Sequence, residues 1–196
     1  MIVALTNVEL NISGNQVYTI CPEEMKALCS MGVISKKIRH YALTMNYRDY
    51  QLFCPLFNIG QGRLALIWPS FKLPRRPYPC FVYIYAIALY LSTGRSMRDV
   101  ASEVRMKFGL TTFSYTTISR ALKKLLLKAD LLKELMWDPT QDGQANKTIR
   151  HTGWDDVLKR KADILLNVLY PSLSHPVFFG CKLAYAFYTA TYRFLL

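Results

Sequence analysis

The sequence predicts an α+β protein, with a small strand-rich N-terminal part followed by a mainly helical part. Three observations carry this. Apolar and polar residues alternate through much of residues 1–67, the period of a half-buried strand. Residues 68–79, WPSFKLPRRPYP, hold four prolines in 12 positions, which excludes regular helix and predicts an extended connector. Beyond them the apolar residues recur at helical spacing up to the C terminus.

In chain order, Val3, Leu5, Val8, Leu10, Ile12, Val17 and Thr19 alternate around Gly14 and Asn15, predicting a β-hairpin within residues 1–20. Residues 21–34 suit a short helix: Pro22 sits in the permissive first turn, Glu23 and Glu24 complement the helix dipole, and Gly32 ends it. Residues 38–67 are rich in aromatic and β-branched side chains around a turn at Gly60–Gly62 and read as further strands. After the connector, helices are expected over residues 81–92, 97–108, 115–136 and 154–170, and from about residue 176 onward. The stretch DPTQDGQANKT, residues 138–148, is polar and turn-forming. The expected organisation is therefore a strand-rich region 1–67, a connector 68–79, a trihelical region 80–137, a polar loop 138–153 and a C-terminal helical region 154–196.

Residues 96–122, SMRDVASEVRMKFGLTTFSYTTISRAL, carry the most chemistry. Ser96 caps a helix whose inward face is Val100, Ala101 and Val104, with Asp99 in the capping-box position, and Gly109 can take the left-handed conformation that stops it. Ser114 caps a second helix whose Ile118, Ala121, Leu122 and Leu125 face inward. The pair reads as a helix-turn-helix, with the apolar 81–91 helix as its support. Tyr115, Thr116, Thr117, Ser119, Arg120, Lys123 and Lys124 are then left for the outward face. Hydroxyls can meet bases or phosphates there, Arg120 can fork onto guanine, and Lys123 and Lys124 can neutralise phosphates. Arg98, Lys107, Arg75 and Arg76 are expected beside the DNA backbone.

Charge favours the same partner. The chain has 25 Lys and Arg against 13 Asp and Glu, a formal +12, which suits double-stranded DNA or an acidic surface. Eight of the basic residues lie within 36–76 against Asp49 alone, and eight within 95–128 against Asp99 and Glu103. The five cysteines form no CxxC pair and are odd in number, and Glu9, Asn11 and Asn15 interrupt any leader-like opening, so a cytoplasmic protein is expected, nucleoid-associated if it binds DNA. No membrane span is expected: the apolar run 80–91 is only 12 residues long, and the run 177–196 contains Lys182 and Arg193.

Two Cys-Pro dipeptides, Cys21-Pro22 and Cys54-Pro55, lie in the strand-rich part where a zinc ribbon would carry CPxC twice, but Glu24 and Phe57 occupy the positions of the second cysteines. Zinc needs four donors, so no cofactor is expected; the alternative is a zinc site rebuilt with Cys29 or His40. This degenerate ribbon, a basic strand region, WPSFKLPRRPYP, an apolar helix and GRSMRDVASEVRMKFGLTTFSYTTISRAL, in that order over residues 20–127, resemble the N-terminal region of bacterial insertion-sequence transposases and transposase-like proteins. The resemblance implies a zinc-ribbon-like part passing through a proline-rich linker into a DNA-binding helix-turn-helix, without the catalytic domain that follows in that family.

Nothing in the sequence assembles a catalytic set. Metal-dependent phosphoryl transfer needs converging carboxylates. Asp138 and Asp142 fall in the polar loop, and Asp155 and Asp156 fall where a helix start attracts acids. His40, His151 and His175 make no HxH or HExxH pattern, and Gly60-Gln61-Gly62 lacks the rest of a phosphate loop. The expectation is a non-catalytic protein that docks on duplex DNA. The alternative is a protein–protein interaction or dimerisation module without DNA, its homodimer seam made by Trp154, Val157, Leu158, Ile164, Leu165, Val168 and Leu169 with the aromatic residues that follow.

Overall fold

A computed structural model of the chain describes residues 2–5, 10–13, 16–19, 37–43, 45–48, 51–58, 61, 63–136 and 153–196. The expectations for residues 14–15, 21–34 and 138–148, and for the turn at 60–62 apart from Gln61, lie outside these residues. The architecture is α+β: six strands in one mixed sheet, then helices.

The strands are β1 (Ile2–Leu5), β2 (Leu10–Ser13), β3 (Gln16–Thr19), β4 (Lys37–Leu43), β5 (Gln51–Asn58) and β6 (Leu64–Pro69). β2 and β3 form the expected hairpin, Leu10 opposite Thr19, whereas β1 leaves it to run parallel to β6, Ile2 opposite Leu66. β5 is the centre of the sheet. β4 pairs with it along Leu52–Phe57, while β3 takes Gln51–Phe53 and β6 takes Leu56–Asn58. Cys54 and Pro55 fall between the last two partners, where a residue without an amide proton disturbs the ladder least. Leu52, Cys54, Leu56 and Phe57 of β5 and Ala65 and Ile67 of β6 are buried.

The helices are α1 (Cys80–Thr93), α2 (Met97–Phe108), α3 (Tyr115–Leu126), α4 (Ala129–Met136), α5 (Asp156–Leu169) and α6 (Pro176–Thr191), with a 3₁₀ turn at Tyr170–Leu173 between the last two. α1 has no charged residue and buries eleven of its 14 side chains. Such a helix has no outward stripe and must be surrounded. α2, α3, α5 and α6 all pack on it. Asp155 caps α5 by accepting from the Leu158 amide at 2.7 Å, the capping role expected for an acid at that helix start.

Two segments depart from expectation. The predicted 115–136 helix is two helices, broken at Leu127 and Lys128, which contain neither glycine nor proline. The break turns α4 onto α5, burying Ala129 and Leu132, and brings Lys128 Nζ to the Leu195 carbonyl. The connector, in turn, is not a stretched tether. Lys72 pairs with Pro79 as a short bridge, the Trp68 indole N–H donates to the Lys72 carbonyl, and Leu73 and Tyr78 enter the helical core. Proline sets φ but leaves carbonyls free to accept, so a proline-rich run can fold compactly when side-chain donors reach them. The Lys72 ammonium is such a donor, to the carbonyls of Leu73 and Arg76.

Aromatic residues join the two parts. Tyr47 meets Phe81 edge-on at 5.2 Å, Phe71 lies 6.3 Å from Phe81, and Trp68 lies 6.3 Å from Phe194. Among the described residues no helix is long and apolar enough to cross a membrane.

α1 crosses α6 closely at Gly180. A Cβ at Gly180 would lie 2.4 Å from Phe81 Cβ and 2.6 Å from its Cα, and the Cys80 thiol donates to the Gly180 carbonyl at 3.3 Å. Because backbone stands in the way, Gly180→Ala should destabilise the chain by about 1–3 kcal/mol through overpacking. A lowered midpoint in denaturant at unchanged slope is the expected reading.

Candidate nucleic-acid interface

α2 and α3 are held at their ends by the residues expected to hold them. Ser96 Oγ accepts from the Asp99 amide at 3.2 Å and donates to the Asp99 carboxylate at 2.7 Å, so Asp99 returns the contact to the capping hydroxyl. Gly109 has φ of +62°, the left-handed stop, and its amide bonds the Arg105 carbonyl. Ser114 Oγ accepts from the Thr117 amide at 3.3 Å and lies 2.7 Å from Thr116 Oγ1 and 3.0 Å from Thr117 Oγ1. These hydroxyls thus form a cluster at the start of α3.

The six residues between α2 and α3, 109–114, are fixed from behind. Leu110 and Phe113 are buried, and Arg105 donates to the Phe113 carbonyl at 2.9 Å. Tyr78, from the connector, donates to the Thr112 carbonyl and lies 3.0 Å from Thr112 Oγ1. Its ring packs edge-on against Phe113 at 5.1 Å. The sheet part contributes too: Asn46 donates to Thr112 Oγ1 at 3.4 Å, and exposed Arg48 comes against Gly109.

α3 buries Ile118, Ala121, Leu122, Leu125 and Leu126. Thr116, Arg120 and Lys123, at spacings of four and three, centre the opposite face, flanked by Tyr115, Ser119 and Lys124. Tyr115, Thr116, Arg120, Lys123 and Lys124 are exposed, and Thr117 and Ser119 half-buried. Among the described residues no carboxylate pairs with Arg120, Lys123 or Lys124.

The other expected site residues divide. Arg98 lies 5.3 Å over the Tyr115 ring, joining α2 to the start of α3. Lys107 is exposed and stands 4.6 Å over the Tyr85 ring. Nine residues separate Arg98 from Lys107, two and a half helical turns, so the two leave α2 on opposite flanks and Lys107 is not beside Arg98. Arg75 is exposed in a turn at φ of +56°. Arg76 lines a cleft of about 180 Å³ together with Thr117 and Arg120 of α3 and with Tyr78, Tyr83 and Leu196. Tyr78, Tyr83, Arg105, Phe113 and Arg48 were not among the expected site residues. Only Tyr78 carries a local signal, an aromatic between two prolines.

Burial pushes the Tyr83 hydroxyl up to about 12, against the opposing charge of Arg76 and a hydrogen bond with the Tyr78 backbone. Burial likewise lowers the Lys72 ammonium, with the nearby Cys54 opposing. Among the described residues no group of three His, Cys, Asp or Glu could hold a metal ion. Cys54 is buried, and Cys21, Glu24 and Cys29 lie outside the described residues. No protein-family model, curated protein or solved structure matches this chain.

Two outcomes are expected of the turn. Ser114→Ala removes the α3 cap and should cost about 1 kcal/mol of stability, read from urea unfolding. Tyr83 ionises near pH 10 when unfolded but near 12 when folded, so the folded chain holds this proton more tightly. Stability present below pH 10 is therefore lost as pH rises through that window. Tyr83→Phe should make the alkaline unfolding curve shallower over the same range.

Proposed function

We propose that this chain docks on double-stranded DNA through the outward face of α3. The observation that carries the reading is the combination of three hydroxyl and three cationic side chains on that face with the absence, among the described residues, of any carboxylate paired with Arg120, Lys123 or Lys124. Cations left without partners on a well-anchored helix can exchange hydration and counterions for phosphates, and the counterion release supplies the affinity. In the proposed complex Thr116 faces base edges, Arg120, Lys123 and Lys124 meet phosphates, and Arg98 and Arg75 contact the backbone on either side. The order of parts supports, as part of the same proposal, a link to the N-terminal regions of insertion-sequence transposases and transposase-like proteins.

A protein–protein or dimerisation module without DNA has less to stand on. Of the apolar side chains that would make its seam, Leu165, Leu169, Phe179 and Phe187 are buried within the chain's own core, and Val157, Phe178 and Tyr192 are left exposed.

In a mobility-shift titration at low salt, Arg120→Ala combined with Lys123→Ala should weaken duplex binding about 10-fold or more. It should also reduce the slope of log affinity on log salt by about two. Circular dichroism should be unchanged, because both side chains are exposed. Duplex binding of equal strength by the double variant and the wild type would overturn the reading.

A further inference from the structure

The cleft between the connector and α3 gathers what the face of α3 alone does not. Arg76 and Arg120 reach it from separate parts of the chain, Thr117 adds a hydroxyl, and Tyr78 and Tyr83 form an aromatic wall, with Pro77, Ala121 and Leu196 completing the lining. No Asp or Glu is among its lining residues, so two arginines share one concavity without an acidic side chain. The volume, about 180 Å³, decides the size of the guest. Pockets for whole nucleotides or drug-sized ligands run to about 300–1,000 Å³, whereas this one has room for a single small group and a few waters.

Its parts are held in place before any guest arrives. Arg76 is anchored by its backbone, its amide bonding the Leu73 carbonyl at 3.3 Å and its carbonyl accepting from the buried Lys72 ammonium. Tyr78 is tied to Thr112, and Thr117 Oγ1, 3.0 Å from Ser114 Oγ, can accept from that hydroxyl and turn its own proton into the cleft. Tyr83, with its hydroxyl held protonated by burial, presents a neutral wall. Planar guanidinium forks match the oxygens of a tetrahedral anion, and two of them with a hydroxyl make a complete donor set for one.

We propose that this cleft is a seat for one phosphate group, gripped by Arg76 and Arg120 with Thr117 as the third donor. As the phosphate of a bound duplex the guest rests on the DNA reading above; as free phosphate it does not. Seated there, a duplex phosphate would set the register of α3 along the groove, since the connector is immobilised against the same helix pair.

The test titrates the full chain with inorganic phosphate against chloride at matched ionic strength and pH, following the melting midpoint, for wild type and Arg76→Ala. A saturable rise in the wild type that is missing from the variant is the expected result. General exclusion of phosphate from protein surfaces would raise both alike, and equal behaviour of the two proteins overturns the proposal. Arg76 is half-exposed and its structural bonds are backbone bonds, so the variant should fold; Arg120→Gln provides a second variant with the same expectation. A duplex titration then identifies the source. A salt slope reduced by about one in Arg76→Ala assigns the seat to a DNA phosphate. An unchanged slope beside a phosphate-dependent melting shift assigns it to free phosphate. If the wild type binds no duplex, the DNA reading falls while the phosphate titration still judges the cleft.

Discussion

Everything in the helical part depends on burying α1 from all sides. Its apolar surface runs around the whole cylinder, so its hydrophobic gain is realised only when several helices close on it together. α2 and α3 cover one flank, α5 and the 3₁₀ turn another, and α6 a third, where Gly180 lets the two backbones approach. Amphipathic helices that bury their inner stripes on such a hub must turn their polar stripes outward. The exposed basic face of α3 is in this sense a consequence of α1.

The orientation of that face is decided from the other side, by the connector and the sheet. Tyr78 reaches Thr112, Arg105 reaches Phe113, and Asn46 and Arg48 come against the same turn. The contacts of Tyr78, Asn46 and Arg48 each cross a long stretch of chain to reach these six residues, and Arg105 holds them from the adjoining helix. A loop with this many outside partners opens only when the contacts of both parts are lost together, which gives α3 a rigid base. The buried Lys72 serves the same end, its ammonium satisfying the Leu73 and Arg76 carbonyls of its own proline-rich segment.

Net charge alone overstates how much of the surface is free to meet an anion. Lys72 and Arg105 are used on backbone carbonyls, Lys128 on the Leu195 carbonyl and the Phe187 ring, and Arg95 on Glu103. Arg120, Lys123 and Lys124 have no carboxylate among the described residues, and Arg76 shares its cleft with Arg120. The positive charge of this chain therefore has two physical roles, and the partners within the fold distinguish them.

The caps at Ser96, Gly109 and Ser114, the inner stripes of α2 and α3 and the cap at Asp155 were legible in the sequence, because each arises within a few residues by local hydrogen bonds or helical period. The α+β class followed from the same kind of signal, the change of period across four prolines. The break at Leu127–Lys128 was not legible, since no local residue demands it and packing of α4 on α5 imposes it. Nor were the parallel pairings of β1 with β6 and of β3 with β5, the compact fold of the connector, or the turning of Lys107 onto Tyr85. What the sequence by itself determined is the kind of element at most positions and the side of each helix that faces in. Only the tertiary structure decided that Arg76 and Arg120 meet across one cleft, because that meeting depends on long-range closure of the chain, for which periodicity and capping leave no trace.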